Sequence, residues 1–287
     1  MNDDALLRKQ NRRQCTSGST RRGITMATDS TQDEILTEIN ENGVATITLN
    51  RPTKINSFAA DTWPRLTDLF REYEGDRAVR VIVLTGAGGN FSSGANLKRD
   101  SNEPVDRSID ATRESWHRGL TLTKTITSLN KPVIALVEGW AVAGGFALAM
   151  SCDLIYASES ATFWPNFMRL GFPPELGTLL FVPSMVGPYK AKEIFYTSRK
   201  IPAAEALSLG MVCNVFPEAT IRQEVARIAD EIAICTPASL SMTKRFINST
   251  VFDHMDLILT AEMQNTPFVT QSEESNRLRD QNFLRKA

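Results

Sequence analysis

The chain is poor in the residues on which many enzyme mechanisms rest. It has two histidines in 287 residues, His117 and His254. A catalytic His pair or a His-rich metal centre is therefore poorly supplied. Its four cysteines (Cys15, Cys152, Cys213, Cys235) are scattered with no metal-ligand spacing. That usage suits a reducing compartment with inert thiols, and the cytoplasm is the expected location. No apolar run approaches the ~18 residues of a membrane span. Lys and Arg (32) balance Asp and Glu (33), so neither a nucleic-acid partner nor a charged membrane surface is implied. A secretory signal lacks its apolar segment.

What is present is a globular composition, with 42% hydrophobic residues, enough for one large domain or a core with an appendage. Residues 1–30 are set apart. The first 25 are polar and basic without apolar period and are expected to be disordered. Their Arg content suggests a transit peptide, Asp3 and Asp4 count against one, and Met26 is the expected working start.

The organising stretch is KPVIALVEGWAVAGGFALAMSCD (131–153). Val133–Val137 reads as a buried strand, Gly139 breaks it, and Ala143-Gly144-Gly145 opens a buried helical run. Small residues at a strand-to-helix junction admit another group close to the backbone. The first amides of a helix have no partner inside it and lie at the positive end of its dipole. Gly144 and Gly145 thus offer N–H groups to an oxygen carrying negative charge. Tight helix–sheet packing needs small residues as well, and the residues alone leave both readings open.

Upstream, alternating Ile35–Ile39 and Val44–Leu49 flank Asn42-Gly43, a hairpin signature. Asn56–Tyr73 is apolar at helical spacing, with Pro64 tolerated only in a first turn. Val79–Thr85 reads as a strand buried on both faces. Asn96–Arg113 is polar and expected to be mobile. Trp116–Leu129 reads as a helix, Asp153–Ala157 as a strand, and Phe163–Thr178 as an irregular stretch rich in Pro, Gly and aromatics. Helices are expected at 190–195 and 203–209, with Gly210 as a stop signal, then a strand at 211–216. Helices at 221–234, 239–249 and 252–264 complete the chain. Strand–helix alternation from 34 to 216 argues an α/β fold. The expected divisions are 31–220 for the core and 221–287 for a helical end that packs on its own core or a neighbour.

Five ordered segments carry a resemblance. They are VATITLNRPTKINSF (44–58), VIVLTGAGGNFSSGANLKRD (81–100), KPVIALVEGWAVAGGFALAMSCDLIYAS (131–158), ATFWPNFMRLGFPPELGTLLFVPSMVG (161–187) and KIPAAEALSLGMVCNVFPE (200–218). Together they resemble the crotonase, or enoyl-CoA hydratase/isomerase, superfamily. The resemblance implies a spiral of ββα turns with a C-terminal helical trimerisation region, a homotrimer or dimer of trimers, and acyl-CoA thioester substrates. Coenzyme A would enter as part of the substrate, with no separate cofactor and no metal. The resemblance also implies an oxyanion hole of two backbone amides, matching Ala95 and Gly144. Ile55 and Ala95 fall where backbone groups of the family touch the pantetheine and adenine of coenzyme A, and Lys54, Lys98 and Arg99 are either contacts for its phosphates or solvated surface residues.

The departures bear on the chemistry. Hydratases of the superfamily carry two glutamates, at positions held here by Ala147 and Phe167. Addition of water needs groups to activate water and deliver a proton, and neither residue can. Glu175, in GFPPELGTLL, falls where isomerases resembling this segment place a lone acid. One carboxylate suffices to move a proton from C2 to C4 of a 3-enoyl thioester, and apolar surroundings would raise its pKa. The residues alone equally suit a solvated loop acid or a helix-start acid. Trp164, Phe167 and Phe172 are core or acyl-pocket wall, and His117 faces that pocket or solvent. Hydrolysis or lysis of an unusual acyl-CoA, or a scaffold that binds coenzyme A without turnover, are the alternatives to an isomerase.

Overall fold

The computed structural model describes residues 33–59, 61–96 and 108–284. The readings on residues 1–32, including the disordered extension, and those on Lys98 and Arg99 lie outside the described residues.

Among the described residues the main sheet has six strands, in the order β1 (Ile35–Ile39), β2 (Val44–Leu49), β3 (Val81–Gly86), β4 (Val133–Val137), β6 (Leu154–Ser158) and β9 (Asn214–Phe216). β1 (Ile35–Ile39) and β2 (Val44–Leu49) form the expected hairpin, Ile35 opposite Leu49. Gly43 turns it at φ +81°, and a Cβ there would strike the Ala78 carbonyl at 2.4 Å. The remaining neighbours are parallel, so each needs a crossover connection. α1 (Thr62–Gly75) leads to β3 (Val81–Gly86), and α2 (Ile109–Ser128) to β4 (Val133–Val137). β5 (Trp140–Val142) and α3 (Gly144–Met150) lead to β6 (Leu154–Ser158). A second sheet joins β5 to β7 (Thr162–Trp164), and β7 to β8 (Ile201–Pro202).

Period-two alternation explains why the central strands are apolar throughout. Ile82, Leu84, Val133, Ala135 and Val137 enter the principal core. Val81, Val83, Ile134 and Leu136 face the other way. There they meet Ile221, Val225, Ala229 and Ala233 of α7 (Ile221–Ala233), which recur every four residues along one helix face.

α4 (Thr178–Val186), α5 (Pro188–Thr197) and α6 (Ala203–Ser208) precede β9 (Asn214–Phe216). α8 (Pro237–Val251), α9 (Met255–Gln271) and α10 (Glu273–Leu284) end the chain. Lys244 of α8 binds Asp153 at 2.7 Å and the carbonyls of Ile126 and Lys131. Asp153 also accepts the Val133 amide. That buried pair ties the helical end to the start of β4.

Several boundaries differ from the sequence reading, with identifiable causes. α1 begins at Thr62 rather than Asn56, because Ile55 and Asn56 adopt positive φ (51° and 48°). The Asn56 side chain instead bonds Arg51 N–H and the carbonyls of Ala87 and Asn90. Pro64 accordingly falls in the first turn. α2 starts at Ile109, inside the stretch read as mobile, because the Ser108 hydroxyl caps the Ala111 amide at 3.2 Å.

Candidate active site

The loop after β3 is held on two sides. Ser92 N–H donates to Trp140 O and Val142 N–H to Ser92 O, making a parallel bridge between Ser92 and Ala141. On the other side, Phe58 N–H donates to Gly94 O at 2.8 Å and Asn96 N–H to Phe58 O at 3.1 Å. In such a parallel bridge the central residue, here Ala95, turns its own N–H away from its partner. The Ser92–Ala141 bridge sets this loop beside β5, which runs through Ala143 into α3. Gly94 shows how closely the strands approach. A Cβ on it would lie 2.8 Å from both Gly144 N and Val142 O.

Gly144 opens α3, so its amide has no acceptor within the helix. Among the described residues, neither Ala95 N–H nor Gly144 N–H donates to a protein acceptor. Gly145 serves packing instead, since a Cβ there would strike Ser92 O at 2.4 Å. Ala143 holds φ 46°, ψ −112°, a conformation that costs an L-residue on the order of 1–3 kcal/mol. The strain sits one residue before the free amide.

Glu175 lies in the turn that starts α4, which packs on α3. Its carbonyl accepts Thr178 N–H and the Thr178 hydroxyl. The next residue, Leu176, has φ 59°, a second strained position. Gly119 of α2 makes room for Leu176, whose Cδ2 would lie 2.5 Å from a Cβ at 119. The Glu175 carboxyl accepts the indole N–H of Trp116, and the Trp116 ring lies 5.9 Å from that of Phe172. Burial dominates its electrostatics and raises its pKa from 4.5 to about 8. The Trp116 hydrogen bond opposes that rise and the charge of Glu262 adds to it. A carboxyl with a pKa near 8 can both take and return a proton near neutrality.

The other residues singled out from the sequence are dispersed. Ala147 and Phe167 are both fully buried, so methyl and phenyl groups fill those positions. Phe172 adjoins the Trp116–Glu175 pair. Trp164 stands apart from it. Its indole donates to Ser198 O, and its ring lies 6.1 Å from Trp140 with the Lys200 ammonium 4.9 Å from both rings. His117 is exposed on α2, while its neighbour Trp116 turns inward. Ile55 is exposed, at φ 51°, and its carbonyl accepts Ser93 N–H at 2.8 Å. Lys54 precedes it on the surface.

Two residues were not foreseen from sequence: Trp116 and Glu262. Trp116 belongs to a stripe with Gly119, Leu120 and Thr123 at helical spacing, which marks the inward face of α2. Glu262 is 5% exposed on α9, and an acid within a helix gives no sign of burial. Among the described residues, no group of His, Cys, Asp and Glu could hold a metal ion, and no helix is long and apolar enough to cross a membrane.

The α/β fold defines a class that comparison with known proteins makes specific. The sequence model of the enoyl-CoA hydratase/isomerase family matches residues 39–285, and the chain belongs to that family. A short-chain-enoyl-CoA hydratase of Clostridium acetobutylicum is 32% identical over 78% of this chain and 85% of its own. A 1,2-epoxyphenylacetyl-CoA isomerase of Escherichia coli is 31% identical over 77% and 85%. Among solved structures, an enoyl-CoA hydratase from Mycobacterium avium subsp. paratuberculosis superposes with a TM-score of 0.79. It is 27% identical, covering 88% of this chain and 99% of that one. The fold is that of the crotonases, and the chemistry of the family is that of acyl-CoA thioesters.

Proposed function

We propose that this enzyme is a Δ3,Δ2-enoyl-CoA isomerase in which Glu175 shuttles one proton. The observation that carries the reading is a buried carboxyl with a pKa near 8 and an indole donor, while Ala147 and Phe167 fill the positions that match the two hydratase carboxylates. The thioester oxygen lies between the amides of Ala95 and Gly144. Ionised Glu175 takes a proton from C2, and the electron pair delocalises through the thioester onto its oxygen. The two amides stabilise that enolate, each worth about 2.7–4 kcal/mol in the transition state. The enolate then collapses through C4, which receives the proton back from Glu175, leaving the double bond between C2 and C3. Lys54 and Ile55 border the coenzyme A end.

Glu175→Gln keeps the shape of the side chain and removes the base. The expected result is loss of isomerisation of a 3-enoyl-CoA by about 10²–10⁴-fold. Activity within a few-fold of wild type, or full hydration of crotonyl-CoA by the wild type, overturns the reading.

A second reading, hydrolytic or lyase chemistry on an unusual acyl-CoA, is favoured by the Trp116–Phe172 pair, which suits a ring-bearing acyl group. The isomerase relative named above carries such a group in its name, as does a 4-chlorobenzoyl coenzyme A dehalogenase of Arthrobacter, 29% identical over 82% of this chain. A panel of aliphatic and aromatic acyl-CoAs read by mass spectrometry separates the two.

The oligomer is part of the proposal. Met242, Phe246, Ile247, Leu257, Phe268 and Val269 are exposed on α8 and α9, an apolar surface of the kind that marks an interface. A homotrimer or dimer of trimers would cover it. Light scattering at micromolar concentration that gives only a monomer ends that part.

A further inference from the structure

The segment carrying Glu175 is gripped at both ends by the C-terminal helices. At its start, Arg279 of α10 donates to Gly171 O at 3.4 Å and lies 5.1 Å from the Phe172 ring. At its end, a carboxylate does the holding. Glu262 Oε2 of α9 accepts Gly177 N–H at 3.1 Å. On the opposite side the Thr123 hydroxyl donates to Leu176 O at 3.3 Å. Leu176 and Gly177 are two successive residues at positive φ (59° and 81°). A backbone so strained persists only where its surroundings over-determine it.

Glu262 is an expensive way to hold a turn. It is 5% exposed, and its Oε1 is a buried oxygen that accepts no hydrogen bond among the described residues. A neutral acceptor would satisfy the same amide at lower desolvation cost. We infer that Glu262 is a positioning residue for the reaction, holding through Gly177 the turn that aims the Glu175 carboxyl. This rests on the reading of Glu175 as the base.

Its charge reaches the same target. Burial raises the Glu262 pKa to about 7, so it ionises before Glu175, and its negative charge then opposes the ionisation of Glu175. Among the other charged groups on the packed elements, Lys124 of α2 pairs with Asp256 at 2.7 Å, Arg118 with Glu114 and Arg113 with Asp110, all at the surface, and His117 points to solvent. Arg279, which holds the segment at Gly171 and Phe172, is bound also to Thr270 O and Asn276. α4 carries no ionisable residue.

Three variants test this, assayed on a 3-enoyl-CoA with kcat and KM measured across pH. Glu262→Gln keeps an acceptor oxygen and removes the charge. Its kcat should stay within about threefold of wild type, while the acidic limb of kcat/KM moves toward lower pH. Glu262→Ala removes both. Its kcat should fall on the order of tenfold or more, with KM within about twofold, as expected for a displaced catalytic group. A limb unmoved in Glu262→Gln overturns the inference even if Glu262→Ala does not fold. So does a folded Glu262→Ala protein that loses thermal stability and keeps kcat. Glu175→Gln separates the two claims. If it is active, the reading of Glu175 fails; if it is dead and the Glu262 variants behave as wild type, only the role of Glu262 fails.

Discussion

The indole N–H of Trp116 points at Oε2 of Glu175, so α2 supplies a donor to the buried carboxyl. A hydrogen bond to the charged form favours ionisation and pulls the pKa down. It opposes the two upward influences on Glu175, burial and the charge of Glu262. Trp116→Phe keeps a ring against Phe172 and deletes the donor. The Glu175 pKa should then rise further above about 8, and the acidic limb of kcat/KM should move toward higher pH. At neutral pH the base would be ionised less often, and kcat/KM should fall on the order of tenfold, in line with a hydrogen bond to a charged group. A limb that stays in place, or moves toward acid, contradicts the assignment.

The proposed pairing of the Ala95 and Gly144 amides can be probed at a residue that is neither. Gly94 (φ +79°) and Gly89 (φ +71°) pose nearly the same backbone problem to alanine, yet their surroundings differ. A Cβ at 94 meets Gly144 N and Val142 O at 2.8 Å, whereas a Cβ at 89 meets nothing within 4 Å. Both substitutions should cost similar conformational strain, about 1 kcal/mol or more. Only Gly94→Ala should push the two amides apart, and kcat should drop about 10²–10³-fold, the cost of a lost oxyanion donor. Gly89→Ala should retain most activity. Equal kcat values in the two proteins would show that the amide pair does no chemistry.

Much of the architecture was legible because burial writes period into sequence. The hairpin, β3, β4 and α7 have nearly the boundaries that alternation and helical spacing suggest. The failures have physical causes. α4 has Pro183 inside it and a left-handed Gly177 before it, so its residues show no helix signal in the sequence. The start of α2 is polar on every side and depends on one serine cap. At the site, Gly144 and Glu175 stand out as a small residue at a junction and an acid among apolar neighbours. Trp116 does not. The titratable residue of that stretch is its neighbour His117, and one residue along a helix is a turn of about 100° onto another face. Trp164 shows the same effect on a strand. Alternation buries Phe163 fully and delivers Trp164 to the opposite face, beside Lys200.

Two buried carboxyls should also leave a mark on stability. Glu175 and Glu262 both ionise higher in the folded protein, at about 8 and about 7, than the ordinary 4.5 of a glutamate. Between those values the folded chain keeps protons that the unfolded chain has released, so stability falls as pH rises. Their contribution is fully present below about 4.5 and is lost as pH climbs through 7 and 8. The wild-type melting temperature should therefore decline between about pH 6 and pH 9 more steeply than that of the Glu175→Gln/Glu262→Gln double variant. Every other titrating group is common to both proteins, so the difference in slope isolates this pair. Calorimetry at half-unit steps reads it directly. Parallel slopes would mean that the two carboxyls are not protonated in the folded state, and a steeper slope in the variant would mean that the sign is reversed.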